Sequence, residues 1–600
     1  MAGFRSSGMR SGWAAWIIAC AGLGFTRAAW AQTPVPFRNT SPGVGYVGSK
    51  VCGACHPKIF ASYIQTGMGR SMVPGEDVSL AVRLPAPATV FDKDSGQYFE
   101  VTRKQGSLYQ TQYGADGEGK EIFRQTFKIA YVVGSGENGF GFLIRRGNYL
   151  FEAPLSYYTK TRVWSFSPGY EAHNYAFTRP VVEECIGCHS GRPQPERSRV
   201  GLYGDPPFTE LAVGCENCHG PGEIHVRERQ SGHVPAEKID TSIVNPAHLT
   251  GWLADNICMK CHQGGDVRVP QPGKTEQDFR PGMPLDNAIA IFKVPLNPGA
   301  SEKTVLLEHY FSMTLSKCYR RSAGRLRCST CHDPHAQPSG QDAVTFYRAK
   351  CMGCHRPESC TLPAADRVSK SPADDCAFCH MPKRTVIKIT HAALTDHSIG
   401  ARPGQPYPEE ALESHAFGGT GLLYLTATPG ESASSIPPVT LLRAYLGVIR
   451  DGHTEFIEKK DHLLDRLARS DSANAVVLAA LARRAASENT QKGLRAGIRE
   501  LTGAIRAGST APEDLLLLGD LYGRDDQHEE AIRVLKQGRE ANPYFREFDE
   551  AIAVQEMALG RYGDALQTIH RGLSVFPDDI ALRLLEKKVQ SATLEDPALK

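Results

Sequence analysis

Seven short stretches of this 600-residue chain share one pattern: two cysteines separated by two residues, then a histidine at once. Two of them read CIGCH and CENCH. From the residue frequencies, chance would place about 0.02 such motifs in a chain of this length, so the repetition reflects a specific chemistry. The motifs, numbered one to seven in chain order, are Cys52/Cys55/His56, Cys185/Cys188/His189, Cys215/Cys218/His219, Cys258/Cys261/His262, Cys328/Cys331/His332, Cys351/Cys354/His355 and Cys376/Cys379/His380.

This pattern is the attachment sequence for c-type haem (heme c). Thiols at i and i+3 lie on one side of a helical turn, where each can form a thioether to a vinyl group of the porphyrin. The histidine that follows can bind the iron from the proximal side. Zinc knuckles and thioredoxin-like redox pairs also use paired cysteines, but neither requires a histidine directly after each pair. The sequence therefore predicts seven covalently attached haems.

The motifs are closely spaced in two groups, motifs two to four and motifs five to seven. Gaps this short leave no room for a separate insulating domain around each haem, so the macrocycles are expected to lie near one another. The apolar content of 41% is slightly low for ordinary cores, which suggests that cofactor fills part of the interior.

The sixth ligand of each iron decides between electron transfer and substrate chemistry, because only an open position can bind substrate. Eight histidines between residues 32 and 400 lie outside the motifs. In CHGPGEIH and CHDPH a proline turns the chain after the proximal histidine, which would present His225 and His335 to neighbouring haems. Further candidates are His309, His391 and His397. Exposed or hydrogen-bonded histidines are expected at His173, His233 and His248.

The first motif stands apart from the others, and no histidine closely follows it. Met68 or Met72 could be the sixth ligand of its iron, or these methionines could only pack against the porphyrin edge. A histidine from a distant part of the chain is the third option for this ligand. Two other cysteines of the exported chain, Cys318 and Cys360, are expected to form a disulfide, with free thiols or a role in a haem pocket as alternatives.

The N-terminus has the layout of a secretory signal peptide, with basic residues, an apolar run and Ala29-Trp30-Ala31 before residue 32. We expect residues 1–31 to be removed and the protein to be periplasmic or extracellular, without a transmembrane segment in the mature chain. A lipoprotein processed at Cys20 is the less favoured alternative. The formal net charge of +3 gives no argument for nucleic-acid binding.

Three further regions follow from composition and periodicity. Residues 86–165, within a haem domain at 32–400, alternate aromatic, β-branched and polar residues and predict a small β-rich insertion. Residues 401–440 are rich in Gly, Pro and Ser and predict a linker. Residues 441–590 show a period of 34, with Ala531 and Ala565, and Gly538 and Gly572, in register, which indicates tetratricopeptide-like helical repeats that could dock a protein. The predicted fold class is mainly α, with a haem domain of little regular structure before a helical solenoid.

The stretches CENCHGPGEIH, CSTCHDPH, CAFCHMPK and THAALTDH resemble the multihaem cytochromes related to hydroxylamine oxidoreductase, pentahaem nitrite reductase and their tetrahaem electron carriers. The chain is most similar to exported members with C-terminal tetratricopeptide repeats, over roughly residues 45–400 and the repeats. The resemblance implies stacked haem pairs and mostly bis-histidine iron, with His225 and His335 as ligands. The chain has no C-x-x-C-K motif and no eighth motif. The activities of the two enzymes are therefore not implied.

Two functions are compatible with these features. The favoured one is electron transfer between redox partner proteins. The alternative is reduction or oxidation of a small nitrogen or sulfur compound at one haem with an open distal position. For that alternative, positive charge and a proton donor could come from Lys317, Tyr319, Arg320 and Arg321.

Overall fold

Short helices carry the seven motifs in the computed structural model, which describes residues 37–77, 84–170, 174–197, 199–236, 238–296, 308–386, 393–402, 405, 419–429 and 435–595. The predicted signal peptide, His173 and His391 lie outside the described residues. The helices that hold motif residues are α1 (Ser49–Cys55), α3 (Glu183–His189), α4 (Glu216–His219), α6 (Gly251–His262), α9 (Cys328–Cys331), α10 (Gly340–Met352) and α12 (Cys376–His380). The other helices of this region are α2 (Pro57–Tyr63), α5 (Glu223–Gln230), α7 (His309–Leu315), α8 (Lys317–Arg321) and α11 (Ala364–Val368).

An antiparallel sheet of nine strands occupies the predicted β-rich insertion. The strand order is β2-β3-β4-β5-β6-β8-β9, with β1 paired to β5 and β7 paired to β6. The sheet is larger than predicted because β1, which precedes the insertion in the chain, joins it through the pairing of Met72 with Val133. The strands are β1 (Met72–Pro74), β2 (Ala88–Asp92), β3 (Gln97–Lys104), β4 (Ser107–Ala115), β5 (Glu121–Val133), β6 (Gly139–Arg146), β7 (Tyr149–Glu152), β8 (Leu155–Tyr158) and β9 (Val163–Phe166).

Alternation of buried and partly exposed residues along β3 gives this sheet one apolar face. Phe99 and Val101 point to that face and pack with Leu108, Phe142 and Phe177. The hydrophobic pattern from which the insertion was predicted is therefore the pattern that forms its core.

Smaller sheets connect the motif helices. Strands β10 (Arg192–Pro195) and β11 (Tyr203–Glu210) form one, and β14 (Lys383–Thr385) and β15 (Ala393–Thr395) form another. A third has the order β12 (Val267–Pro270), β13 (Ile289–Lys293) and β16 (Leu423–Tyr424). Strand β16 lies inside the predicted linker, yet both of its residues are buried and pair with β13. This part of residues 401–440 is a component of the core.

Antiparallel helix pairs form the C-terminal region, as the period of 34 predicted. Two glycines in register explain the period: a Cβ on Gly538 would lie 2.2 Å from Phe548, and one on Gly572 would lie 2.6 Å from Leu582. The predicted helical repeat is confirmed. Its helices are α13 (Pro438–Arg450), α14 (Ile457–Ser470), α15 (Ala475–Ser487), α16 (Gln491–Arg506), α17 (Pro512–Arg524), α18 (His528–Ala541), α19 (Glu547–Ala558), α20 (Tyr562–Val575) and α21 (Ile580–Glu595).

The repeat region packs against the motif region at two places. At the first, α13–α15 share one hydrophobic core with β12, β13 and β16, in which Leu442 and Phe292 are fully buried. At the second, the ring of Tyr544 packs edge-on against Tyr149 and Phe151 of β7. The Arg146 guanidinium lies 4.4 Å from the centre of the Tyr544 ring. The repeats are therefore built into the fold rather than tethered to it.

Among the described residues, no helix combines the length and the apolar character needed to cross a membrane.

Replacing Leu442 by alanine should lower the free energy of unfolding by about 2–5 kcal/mol, because it removes a fully buried side chain from the shared core. The loss should also speed amide hydrogen exchange in β13, which mass spectrometry on the full chain would measure. Leu584→Ala is the matched control, since that side chain is 60% exposed and its loss should change stability by no more than about 0.5 kcal/mol. Unchanged exchange in β13 would mean that the strand and the repeats are independent.

Candidate haem-attachment sites

Each motif presents its thiols from one helical turn. The amide of the histidine donates a hydrogen bond to the carbonyl of the first cysteine, over 2.9 Å for His56 and Cys52 and 3.0 Å for His332 and Cys328. This bond closes one turn of helix, so the two thiols lie on the same side and the imidazole follows directly. The local geometry is the one that thioether attachment requires.

Thiols of different motifs lie within hydrogen-bonding reach of each other. The described pairs are Cys52 with Cys215, Cys188 with Cys261, Cys258 with Cys328, and Cys351 with Cys376. Two further links are electrostatic, between Cys218 and Cys258 and between Cys331 and Cys354. The links run in the order one, three, four, five, six and seven, with motif two joined to motif four. All seven motifs form one contiguous network.

Imidazoles also meet in pairs. The ring centres of His219 and His335 are 6.0 Å apart with planes 13° from parallel, and those of His332 and His397 are 6.2 Å apart. Two metal–imidazole bonds of about 2 Å on opposite sides of one iron put the ring centres about 6 Å apart. Both pairs therefore have the spacing of axial ligands, each pair joining a motif histidine to a histidine outside the motifs.

A third pair joins His262 to His309, with ring centres 5.4 Å apart. His309 also lies 4.5 Å from His397, so the two imidazoles outside the motifs touch each other. Burial and the neighbouring imidazoles lower the pKa of His309 to about 3. The ring is therefore neutral at physiological pH, which is the form that binds a metal.

The loop after motif five delivers His335 to motif three. The carbonyl of His335 accepts a hydrogen bond of 2.7 Å from Ser62 in α2, and the Gln337 side chain accepts one of 3.0 Å from the Gly67 amide. These bonds hold the CHDPH turn against the segment that follows motif one. The turn predicted from its proline thus brings together residues more than a hundred positions apart in the chain.

Several of these imidazoles are oriented through Nδ1. The Nδ1 of His219 lies 2.8 Å from the Val244 carbonyl, that of His380 lies 2.9 Å from the Gly400 carbonyl, and that of His397 lies 2.9 Å from the Thr395 carbonyl. A carbonyl at Nδ1 fixes the proton there and leaves Nε2 as a lone-pair donor. This is the arrangement that metal-binding histidines use.

His225 has a carboxylate partner instead. Its Nδ1 lies 3.0 Å from Asp240 and 3.1 Å from the Ser242 hydroxyl. Burial raises the pKa of Asp240, but hydrogen bonds from Ser242 and Arg229 outweigh burial and bring it to about 2. His225 also interacts electrostatically with His56 of motif one. His225 is a histidine from elsewhere in the chain, which was one of the three options for this motif, and it lies within electrostatic range of His56.

Met72, another of those options, is 2% exposed and packs in a cluster with Leu143, Ile186 and Tyr203. It serves the core of the sheet.

The predicted disulfide between Cys318 and Cys360 is not formed, since both are free thiols. Cys318 lies instead near Cys331 and Cys354, two thiols of neighbouring motifs. Cys360 interacts with Arg367. An even number of cysteines outside the motifs was the basis of that prediction, and in the fold the two thiols have different neighbours.

Helix α8 carries the residues proposed to assist an enzymatic reaction, namely Lys317, Tyr319, Arg320 and Arg321. The hydroxyl of Tyr319 is 3.3 Å from that of Tyr310. The enzyme hypothesis stays a prediction.

Residues 317–385, which hold motifs five to seven, contain no buried side chain. The helices of this stretch leave apolar residues in the open, including Phe378 at 58% and Val368 at 60% exposure. A cavity of about 580 Å³ between α10 and Ala373 opens beside motifs six and seven. A protein segment of this length needs buried apolar surface to offset its loss of conformational entropy, and the described side chains supply little of it here.

Two motif residues in this stretch, His355 of motif six and Cys379 of motif seven, have exposed side chains. Their expected roles, iron ligand and porphyrin attachment point, stay predictions. Within the described part of the chain, neither of them meets an imidazole or a thiol of another motif, as His332 and Cys351 do. The physical reason is the same missing core, because the described side chains leave this end of motifs six and seven uncovered.

Three other motif cysteines are exposed as well, namely Cys55, Cys185 and Cys354. Each lies one helical turn from a half-buried cysteine of its own motif. The polypeptide thus encloses one thiol of such a motif and leaves the other at the surface.

The residues present fit the predicted haems. The fourteen motif cysteines are half-buried or exposed, although a free cysteine is ordinarily among the most buried residues. Paired thiols beside open apolar surface and paired imidazoles at axial spacing are the donor set for a covalently held porphyrin. Within the described ranges, no group of three or more His, Cys, Asp or Glu side chains is gathered so as to hold a metal ion directly.

A buried ion pair, which the sequence did not single out, supports motif four. Arg268 on β12 donates to Glu276 over 2.8 Å and to the carbonyls of Gln263 and Lys260. The Glu276 side chain is 2% exposed. The pair holds β12 and the end of α6 together beside the thiols of Cys188 and Cys261. An Arg and a Glu eight residues apart on a loop carry no signal that could have identified it.

No family model and no curated protein matches the chain. Solved structures that share a likeness include MamA, at 15% identity and a TM-score of 0.21 over 26% of this chain and 78% of that one. The Arabidopsis OM64 tetratricopeptide domain is similar at 13% identity and a TM-score of 0.18, over 20% of this chain and 95% of that one. The first such domain of Spaghetti (RPAP3), bound to an HSP90 peptide, has 16% identity and a TM-score of 0.19 over 20% and 96%. TM-scores this low carry no argument, and the helical repeat rests on the helix pairs described above.

Replacing Glu276 by glutamine should destabilise the protein by about 3–5 kcal/mol, because it leaves the half-buried Arg268 without its counter-charge. Urea unfolding followed by circular dichroism measures the loss. The double variant Glu276→Gln/Arg268→Met should recover part of it, since no unpaired charge remains. Glu121→Gln is the control: its pair with Arg124 is exposed and should contribute at most about 1 kcal/mol. Equal effects of the two glutamine variants would contradict this role of the pair.

Proposed function

We propose that the protein is an exported seven-haem c-type cytochrome that transfers electrons through closely packed, mostly bis-histidine haems. The observation that carries this proposal is the single network formed by the seven motifs, together with the coreless stretch 317–385 around three of them. Covalently held porphyrin would account for both features. It would also cover His355 and Cys379, which the polypeptide leaves exposed. Kinship with the hydroxylamine oxidoreductase and pentahaem nitrite reductase lineage belongs to the same proposal and rests on the motif contexts alone.

The chain's own residues have three tasks in this proposal. The fourteen motif cysteines would hold the porphyrins, and the seven motif histidines would bind the irons. His335, His309, His397 and His225 would be further iron ligands at motifs three, four, five and one, respectively. When bound, a haem with two imidazole ligands accepts and returns one electron without an open position for substrate. The carbonyls of Val244 and Thr395 and the Asp240 carboxylate orient the imidazoles and make them stronger donors.

The contacts between motifs support an electron-transfer route that branches at motif four. Motif one leads to motif three and then to motif four, from which one arm goes to motif two and another to motifs five, six and seven. The contact between His309 and His397 would bring the ligands of motifs four and five together when the haems are bound. Donor and acceptor proteins would meet this network at the exposed motifs one, two and seven, which are its ends.

The repeat region would dock a redox partner on the surface that its packing leaves open. Two contacts with the motif region hold it in place, so a partner bound there would have a fixed orientation toward the motifs. The residues on this surface include the exposed Val554 and Leu584 on α19 and α21. Export through the signal peptide would put the protein in the periplasm or outside the cell, where c-type haem is attached.

Expression with a working haem-attachment system should add seven haem masses to the chain cut after residue 31. Trypsin should then leave residues 317–385 intact. Chain made without haem attachment should be cut rapidly in that stretch but slowly in the nine-stranded sheet, because only the sheet has a polypeptide core. Intact-mass spectrometry and peptide mapping test both points. Bound zinc, or a protected 317–385 stretch in the chain without haem, would refute the proposal.

Replacing His335 by alanine should convert one low-spin iron to a high-spin form, because it removes the imidazole that faces His219. Electron paramagnetic resonance of the oxidised protein counts the high-spin iron. His233→Ala is the matched control, since His233 is exposed and pairs with no imidazole in the described ranges. A wild-type protein that already contains high-spin iron shifting with nitrite or hydroxylamine would favour the enzyme hypothesis.

A further inference from the structure

Helices α19 and α21 of the repeat region leave apolar side chains open to solvent. Val554 of α19 is 46% exposed, and Ile580 and Leu584 of α21 are 62% and 60% exposed. The spacing of Ile580 and Leu584 puts them on the same side of α21. Carboxylates accompany these residues, since Glu550 lies one helical turn before Val554 and Asp579 directly precedes Ile580. These five residues form what we call the α19–α21 surface.

Four carboxylates meet at the α19–α21 surface. Glu550 lies within hydrogen-bonding reach of the Asp579 carboxylate, and Glu547 adds its charge electrostatically. Asp578 and Asp579 both contact the Arg546 guanidinium, over 3.3 and 3.6 Å. Exposure falls from Glu547, which is exposed, through the half-buried Glu550 to the buried Asp579. The carboxylates therefore lead from the solvent into the fold.

Negative charge is in excess among these groups. Arg546 is shared by both aspartates, and Arg146 of β6 interacts with Asp578 from the side of the sheet. The Oδ1 of Asp579 accepts a hydrogen bond of 3.0 Å from the Leu582 amide, but its Oδ2 is buried without a hydrogen-bond partner. The same is true of Asp578 Oδ1, and the two aspartate side chains are only 4% and 2% exposed. Buried acceptors of this kind are costly unless a donor reaches them.

The protonation of Glu550 reflects this excess. Burial and the neighbouring Asp579 carboxylate raise the pKa of Glu550 to about 7. Two carboxylates in contact keep one proton between them, because two adjacent negative charges repel each other. A cation that enters beside Glu550 would replace this proton and restore the balance of charge.

The chemistry that suits the α19–α21 surface is a basic side chain flanked by apolar ones. The methylene stem of a lysine or arginine can lie on Val554 and Leu584 while its charged end meets Glu550. A metal ion fits less well, since no group of three or more His, Cys, Asp or Glu side chains within the described ranges is gathered to hold one. The apolar residues favour a polypeptide over a small hydrophilic cation.

We propose that the α19–α21 surface binds a basic segment of a partner protein, in which a lysine or arginine meets Glu550 and apolar residues beside it cover Val554, Ile580 and Leu584. This proposal rests on the proposed function and names the chemistry of the partner that the repeat region docks. The bound cation lowers the pKa of Glu550 again, so binding releases a proton. Affinity should therefore rise with pH through about 7 and level off above it.

The test uses the full, haem-loaded chain and an acetylated, amidated peptide of alternating leucine and lysine, LKLKL, with isothermal titration calorimetry. Between pH 6 and pH 8 the Kd of the wild type should fall about tenfold, as the loss of one proton near pH 7 requires. Glu550→Gln should raise the Kd at pH 8 about tenfold and remove the pH dependence. Glu458→Gln is the matched control, because that carboxylate on α14 is 87% exposed and lies outside the surface.

A second variant and a proton count make the result independent of folding effects. Leu584→Lys changes an exposed side chain and supplies an ammonium group to the surface, so it should also weaken peptide binding. Titrations in phosphate and in Tris, which take up protons with different enthalpies, should show about half a proton released per peptide at pH 7 in the wild type and none in Glu550→Gln.

Three results would overturn the proposal: equal binding of the peptide LELEL, a Kd that Glu550→Gln leaves unchanged, or displacement of LKLKL by calcium ions, which would indicate a metal site. Intact mass of the same samples checks the proposed function separately. A wild-type chain that carries no haem would refute electron transfer, whereas failure of the peptide to bind to a chain with seven haems would refute only the docking chemistry.

Discussion

A hydrogen bond from the amide of a motif histidine to the carbonyl of the cysteine four residues earlier closes a single helical turn, and the rest of the motif region depends on it. That turn fixes two thiols and an imidazole relative to one another before any tertiary contact forms. Everything else in the region brings these turns close together. Thiols of motifs far apart in the chain meet, and imidazoles from distant loops pair with them. The local unit is repeated, and the fold arranges its copies.

Two different kinds of stabilisation divide the chain. The nine-stranded sheet and the helical repeats have ordinary apolar cores, with Phe99, Leu442 and Phe548 fully or almost fully buried. Residues 317–385 have no such core, and in the proposed function porphyrin takes its place. The two kinds meet at β13, whose residues contact helix α13 on one side and motif four's neighbourhood on the other. The apolar core of the sheet and the repeats therefore supports residues 317–385, which lack an apolar core of their own.

Local features of this protein could be predicted from its sequence. The motifs, the alternating strands and the period of 34 are all encoded within a few residues of the place where they act, and the structure has the corresponding sheet and helix pairs. Long-range partners could not be predicted in the same way. Nothing near His335 indicates that it faces His219, and the separation of Cys318 from Cys360 depends on the whole fold. A composition rich in Gly, Pro and Ser likewise suggested a linker where β16 completes a sheet, because two buried residues are too few to leave a pattern.

The exposure of individual cysteines and histidines within the motifs could not be predicted from the sequence either. His355 and Cys379 belong to motifs with the same spacing as the others, yet the chain around them does not enclose them. A motif specifies the turn that carries its thiols and imidazole, but the cover over that turn comes from distant segments. Spacing alone therefore could not separate the enclosed members from the exposed ones.

Because the network branches at motif four, the effect of losing one motif depends on which motif is lost. In an unbranched series, the loss of any internal member divides the whole into two pieces. Among the described residues, motif two is linked only to motif four, so its loss would leave the remaining six connected from one end to the other. Loss of motif four would instead separate three fragments at once. Mutational tolerance should therefore differ sharply between two motifs whose sequences, CIGCH and CMKCH, obey the same rule.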